Sequence, residues 1–65
     1  MKLTLNGETR DVPVTTIGEL VEHLGLTGQA VAVELNRDVV PKRRHSVTSL
    51  TEGDAIEIVT LVGGG

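Results

Sequence analysis

The chain opens on strict alternation: Lys2, Thr4 and Asn6 are polar while Leu3 and Leu5 are apolar, the period-2 pattern of a strand with one buried face. Asn6-Gly7 follows, a dipeptide suited to a tight hairpin turn, so the pattern predicts a hairpin whose second strand runs over about Thr9 to Val14. Val12 and Val14 fall on its inward face. Pro13 cannot donate to a ladder, which places this strand at a sheet border or marks its end. Thr16-Ile17-Gly18-Glu19 then fits a capping box, in which the Thr16 hydroxyl and the Glu19 carboxylate each accept from a backbone N–H left unpaired at a helix start. Ile17, Leu20, Val21 and Leu24 recur at i, i+3, i+4 and i+7 as one apolar stripe, and Gly25 stands where a left-handed C-terminal cap belongs. Gly18, inside the first turn, costs about 1 kcal/mol relative to Ala, and its bare Cα is read as permitting close helix–sheet contact.

Beyond the helix, Val31, Val33 and Leu35 alternate with Ala32 and Glu34 as a half-buried strand. Asn36-Arg37-Asp38 turns the chain, and a short apolar pair, Val39-Val40, ends at Pro41. The run Lys42-Arg43-Arg44-His45 is polar and expected to be exposed. Val47 and Leu50 are expected to plug the core from an irregular or single-turn segment before the Glu52-Gly53-Asp54 turn. The last strand, Ala55 to about Val62, sets Ile56 and Ile58 on one face and Glu57 on the other, whereas Val59, Leu61 and Val62 depart from clean alternation. As the most apolar strand it is expected at the sheet centre. The order strand, strand, helix, strand, short strand, strand defines an α+β two-layer domain. It matches a ubiquitin-like β-grasp: a mixed sheet of four to five strands covered by one main helix, with residues 1–62 as the domain and residues 63–65 as a flexible glycine tail.

Composition narrows what such a domain does. Sixty-five residues carry six Lys plus Arg against nine Asp plus Glu, with no Cys, Phe, Tyr or Trp. A net charge of −3 and the lack of aromatic side chains argue against nucleic acid, which needs a cationic face or stacking platforms. No stretch approaches the roughly 20 apolar residues of a membrane span, and no secretory signal is visible, so the expected location is cytoplasmic. With no Cys, and only His23 and His45 as imidazoles, no metal site is expected. His23 is expected at the exposed end of the helix and His45 in solvent; neither has a nucleophile or ligand set near it in sequence. A chain this small has no room for a deep catalytic cleft.

The chemistry is concentrated where the last strand passes directly into Gly63-Gly64-Gly65. Glycines threaded through a narrow channel present a terminal carboxylate with no side chain obstructing either face, and three of them reach about 10 Å. A carboxylate resists nucleophiles and must be activated, for instance by an adenylyl group from ATP; a sulfur nucleophile then displaces AMP and leaves a thiocarboxylate. The chain has no G-x-x-x-x-G-K-[ST] loop of its own, so the ATP, with its Mg, is expected to be used by a partner enzyme and no cofactor to be bound here. The bland alternative is that terminal glycines form an inert flexible end.

The whole chain resembles the ThiS family of sulfur carriers in thiamine biosynthesis. The resemblance is carried by Met1-Lys2-Leu3-Thr4-Leu5-Asn6-Gly7, by Ala32-Val33-Glu34-Leu35-Asn36-Arg37-Asp38-Val39-Val40-Pro41-Lys42, by Glu52-Gly53-Asp54 and by the terminal glycines. Two positions depart from the family pattern, Lys42 for Arg and His45 for Trp. The resemblance implies that an adenylyltransferase related to ubiquitin-activating enzymes (ThiF type) acts on Gly65, that a persulfide supplies sulfur, and that thiazole synthase (ThiG type) receives it. In this reading the chain is a co-substrate and not an enzyme, with Gly63 and Gly64 presenting Gly65. The alternatives are a molybdopterin-type sulfur carrier and a ubiquitin-like modifier or interaction module.

Two further groups are candidates for partner binding. Val59, Leu61 and Val62 either fill the core around a strand irregularity or form an apolar contact on the sheet face opposite the helix. Lys42 and Arg43, with Arg44, hold half the chain's positive charge; they either steer an acidic partner surface or are a solvated loop.

Overall fold

The computed structural model of the chain describes residues 1–61. In chain order the elements are β1 (Lys2–Leu5), β2 (Glu8–Asp11), α1 (Ile17–His23), β3 (Val31–Leu35), β4 (Asp38–Val40), a 3-10 helix (Lys42–Val47) and β5 (Ala55–Thr60). The five strands form one sheet in the order β2-β1-β5-β3-β4, in which β1 and β5 run parallel and every other pair is antiparallel. One helix packs on one sheet face, so the fold is the ubiquitin-like β-grasp.

The opening hairpin closes with Leu5 opposite Glu8 across a two-residue turn. Both turn residues are left-handed, Asn6 at φ 49° and Gly7 at φ 84°, the geometry whose twist matches that of the strands it joins. β2 lies at the border, as its proline implies, but it ends at Asp11, short of the expected Val14. Val12 still donates to the Met1 carbonyl at 2.9 Å, and the proline then ends the ladder; Val12 and Val14 are buried from the connection instead.

Thr16 caps α1, its hydroxyl accepting from the Glu19 N–H at 3.1 Å. The Glu19 carboxylate reaches back one residue further than a capping box requires and accepts from the Thr15 N–H at 2.7 Å and the Thr15 hydroxyl at 3.0 Å. At the other end Gly25 donates to the Glu22 carbonyl and Leu26 to the Val21 carbonyl, both at 3.0 Å, with Gly25 at φ 73°. These two bonds are a Schellman stop, which satisfies carbonyls that the helix cannot. Ile17 and Leu20 are wholly buried, packed over Leu3, Val33 and Ile56 from the sheet.

Three expectations about the segment after β4 are corrected. His45 is buried, 8% exposed, because it lies in the 3-10 helix beneath α1 and its ring N–H donates to the Val40 carbonyl at 3.0 Å. Val47 faces solvent at 67% exposed, so Leu50 alone plugs the core. Gly18 makes room for the 3-10 helix and not for the sheet: a Cβ there would stand 3.2 Å from the Ser46 Cα and 3.4 Å from the His45 carbonyl oxygen. Past Val47, the Thr48 carbonyl accepts from Ile17 N–H at 3.0 Å and Leu50 N–H donates to the Thr15 carbonyl at 2.8 Å, which draws Leu50 under the helix.

β5 is central, as its apolar content implies. Its alternation is cleaner than the sequence suggests. Ile56 and Ile58 are buried, while Glu57, Val59 and Leu61 share the open face.

Candidate functional site

The chain leaves the sheet at the end of β5, and the described residues show how that exit is held. At the start of the strand the Asn36 N–H donates to the Ala55 carbonyl at 2.7 Å and the Asn36 side-chain oxygen accepts from the Ala55 N–H at 3.0 Å. Its amide nitrogen donates to Asp54 Oδ1 at 3.1 Å. From the other side Asn6 grips mid-strand: Oδ1 accepts from the Ile58 N–H at 2.8 Å and Nδ2 donates to the Ile58 carbonyl at 3.2 Å. An Asn side chain carries the same donor and acceptor as a peptide group, so Asn6 extends the β1 ladder beyond the residue at which β1 turns away. Past Ile58 the strand is held by β3, with Thr60 opposite Val31 and Leu61 N–H donating to the Ala30 carbonyl at 2.8 Å. Both asparagines were legible only as turn formers; that their side chains clamp β5 depends on strand order, which brings residues 52 positions apart into contact.

Val59 and Leu61 stand on the open face, 56% and 53% exposed, with Ala32 directly opposite Val59. They do not fill the core. Beside them Glu57 faces Glu34 across the β3–β5 register, and Val39, 72% exposed, faces Glu34 from β4. No Lys or Arg among the described residues lies within ion-pair distance of either carboxylate. Like charges directly opposite oppose sheet formation, so this face is not arranged for stability alone.

Lys42 and Arg43 are exposed in the first turn of the 3-10 helix. That helix packs against α1, so the two cations belong to the helix layer while Val59 and Leu61 lie on the other side of the sheet. The structure therefore does not bring the two candidate groups together. Lys42 also borders a shallow concavity of about 250 Å³ between α1 and the 3-10 helix, floored by Val21, Leu26 and Val31. Val62, Gly63, Gly64 and Gly65 lie outside the described residues.

Nothing in the described residues is arranged as a catalytic centre. Glu19, whose carboxyl is held below its ordinary value by the hydrogen bonds from the Thr15 N–H and hydroxyl, is a helix cap. His23 is exposed at the end of α1, as expected, and His45 spends its ring N–H on Val40. Among the described residues no three His, Asp or Glu side chains are grouped to hold a metal ion, and no helix is long and apolar enough to cross a membrane.

The β-grasp body has a central strand that leads in sequence to three glycines. The ThiS family model matches residues 3–65. The chain is 36% identical to the sulfur carrier protein ThiS of Thermus thermophilus, over 94% of this chain and 95% of that one. It superposes on the crystal structure of the thiamine biosynthesis protein ThiS of Geobacter metallireducens with a TM-score of 0.81, at 36% identity and with all of both chains covered. It is also 41% identical, over its whole length, to part of a thiazole synthase of Paramagnetospirillum magneticum, of which it spans 20%. The chain belongs to the ThiS family.

Proposed function

We propose that the reactive group of this carrier is the carboxylate of Gly65, and that the chain is a co-substrate with no catalytic centre of its own. One observation carries the reading: the family match extends over residues 3–65 and so takes in all three glycines. A carboxylate oxygen attacks the α-phosphorus of ATP, with Mg, in the site of a ThiF-type adenylyltransferase and releases pyrophosphate. The terminal sulfur of a persulfide then attacks the acyl carbon and expels AMP. A thiol reduces the resulting acyl disulfide, and the thiocarboxylate remains. Thiazole synthase is the acceptor; in support, a thiazole synthase relative carries a segment like this chain within one longer polypeptide, an arrangement that raises the effective concentration of the two units for each other. The setting is the cytoplasm.

Gly63 and Gly64 present the terminus. Ordering three glycines in a channel costs about 1 to 2 kcal/mol each, or roughly 3 to 6 kcal/mol in all, which docking of the folded body must offset. Val59 and Leu61 supply that contact on the open face, and Lys42 and Arg43 steer from the helix layer. The test is intact mass after incubation with the adenylyltransferase, Mg-ATP, a persulfide donor and a thiol reductant. Exchange of one oxygen for sulfur at the C-terminus is the expected result. A covalent adduct to another protein supports the modifier reading instead, and no change in mass overturns both.

A further inference from the structure

We propose that Asn6 is a positioning residue for the activation of Gly65: its side chain, clamped on both backbone groups of Ile58, sets the line along which the exit strand leaves the fold. This inference rests on the carrier chemistry proposed above.

The argument is geometric. Up to Ile58, β5 is gripped from both sides, by β3 and by β1 with its Asn6 extension; from Val59 to Leu61 the ladder runs to β3 and to Ala30 just before it. Ile58 is thus the pivot of the exit. The three steps from Ile58 to Leu61 span about 10 Å of strand, so a tilt of about 10° at the pivot displaces the exit point by about 2 Å. A shift on that scale moves the point from which the glycines must reach the partner's site, and a reacting atom held out of place there carries a large rate penalty. The Asn6 backbone does not need the amide to form its turn. At φ 49° it lies in the left-handed region, which glycine enters freely and aspartate tolerates, so the clamp can be removed or altered without breaking the hairpin.

The experiment measures adenylation of the full chain by its ThiF-type partner, with pyrophosphate release as readout, for wild type, Asn6→Gly and Asn6→Asp. Asn6→Gly is expected to lower kcat at least about tenfold with KM unchanged, because the body docks as before and fewer docked complexes hold the terminus in reach. The Ile58 amide is expected to exchange faster with solvent in the same variant. Val12→Ala, in the buried connection after β2, serves as a variant destabilised away from the exit and is expected to keep wild-type kcat. Asn6→Asp keeps the acceptor for the Ile58 N–H but turns an oxygen toward the Ile58 carbonyl; protonation restores a donor there. Its rate relative to wild type at each pH is therefore expected to climb as pH falls into the carboxyl range, below about pH 5. Unchanged kcat in Asn6→Gly, an equal loss in Val12→Ala, a rise in KM alone, or a pH-independent ratio for Asn6→Asp each overturns the assignment. Wild-type protein that is not adenylated at all overturns the carrier reading itself.

Discussion

Leu61→Asp separates a surface that binds from one that merely folds. Leu61 is 53% exposed and its backbone bond to Ala30 is independent of the side chain, so the fold loses about half the burial of one leucine. Full burial contributes about 1.5 to 3 kcal/mol, which makes the expected stability loss about 1 kcal/mol and the fall in Tm about 4 to 8 °C for a domain of this size. At a docked interface the same change removes an apolar contact and buries a carboxylate against the partner. That costs about 2 kcal/mol or more, roughly a 30-fold weaker Kd for the adenylyltransferase. Titration calorimetry gives the Kd and circular dichroism the Tm. Val39→Asp, on the same face but across β3 on the edge strand β4, is expected to weaken binding less. An unchanged Kd for Leu61→Asp refutes the docking face, and so does a variant that is simply unfolded at the assay temperature.

Other parts of the molecule make equally direct demands. Glu57→Thr relieves the repulsion from Glu34 and introduces a better strand former, so urea unfolding is expected to show a gain of about 0.2 to 1 kcal/mol; a loss means that the carboxylate has a structural partner. Because its hydrogen bonds to Thr15 depress the folded-state pKa of Glu19, its contribution to stability is present above the ordinary carboxyl pKa of about 4.3 and is lost as pH falls through the depressed value. Glu19→Gln is expected to flatten that part of the stability curve, and an identical curve removes the cap from the account. Arg43→Glu is expected to slow adenylation most at low ionic strength, with the difference fading as salt rises. A salt-independent rate in both proteins ends the steering role.

The period-2 and 3.6 patterns were enough to place the hairpin, α1, β3 and β5, because each has one face toward the core and that face dictates residue type locally. Asn6-Gly7 and Gly25 added the turn and the helix stop, since few residues adopt φ near 49° to 84° without strain. The proposal for Gly65 rests on the sequence, because it needs no fold, only a carboxylate without neighbouring side chains, and it falls outside the described residues. What the pattern missed is nonlocal. His45 is buried because α1 crosses the 3-10 helix at Gly18, and a 3-10 segment carries no amphipathic period from which burial can be read. Val59 and Leu61 looked like irregularities because apolar residues occupied both faces of one strand; the single helix, covering one side of the sheet, decided which of them meet solvent. The Glu34–Glu57 juxtaposition and the grip of Asn6 on Ile58 follow from strand order and register. Those are properties of pairs of distant segments, set by how five strands close around one core, and no single stretch of sequence contains them.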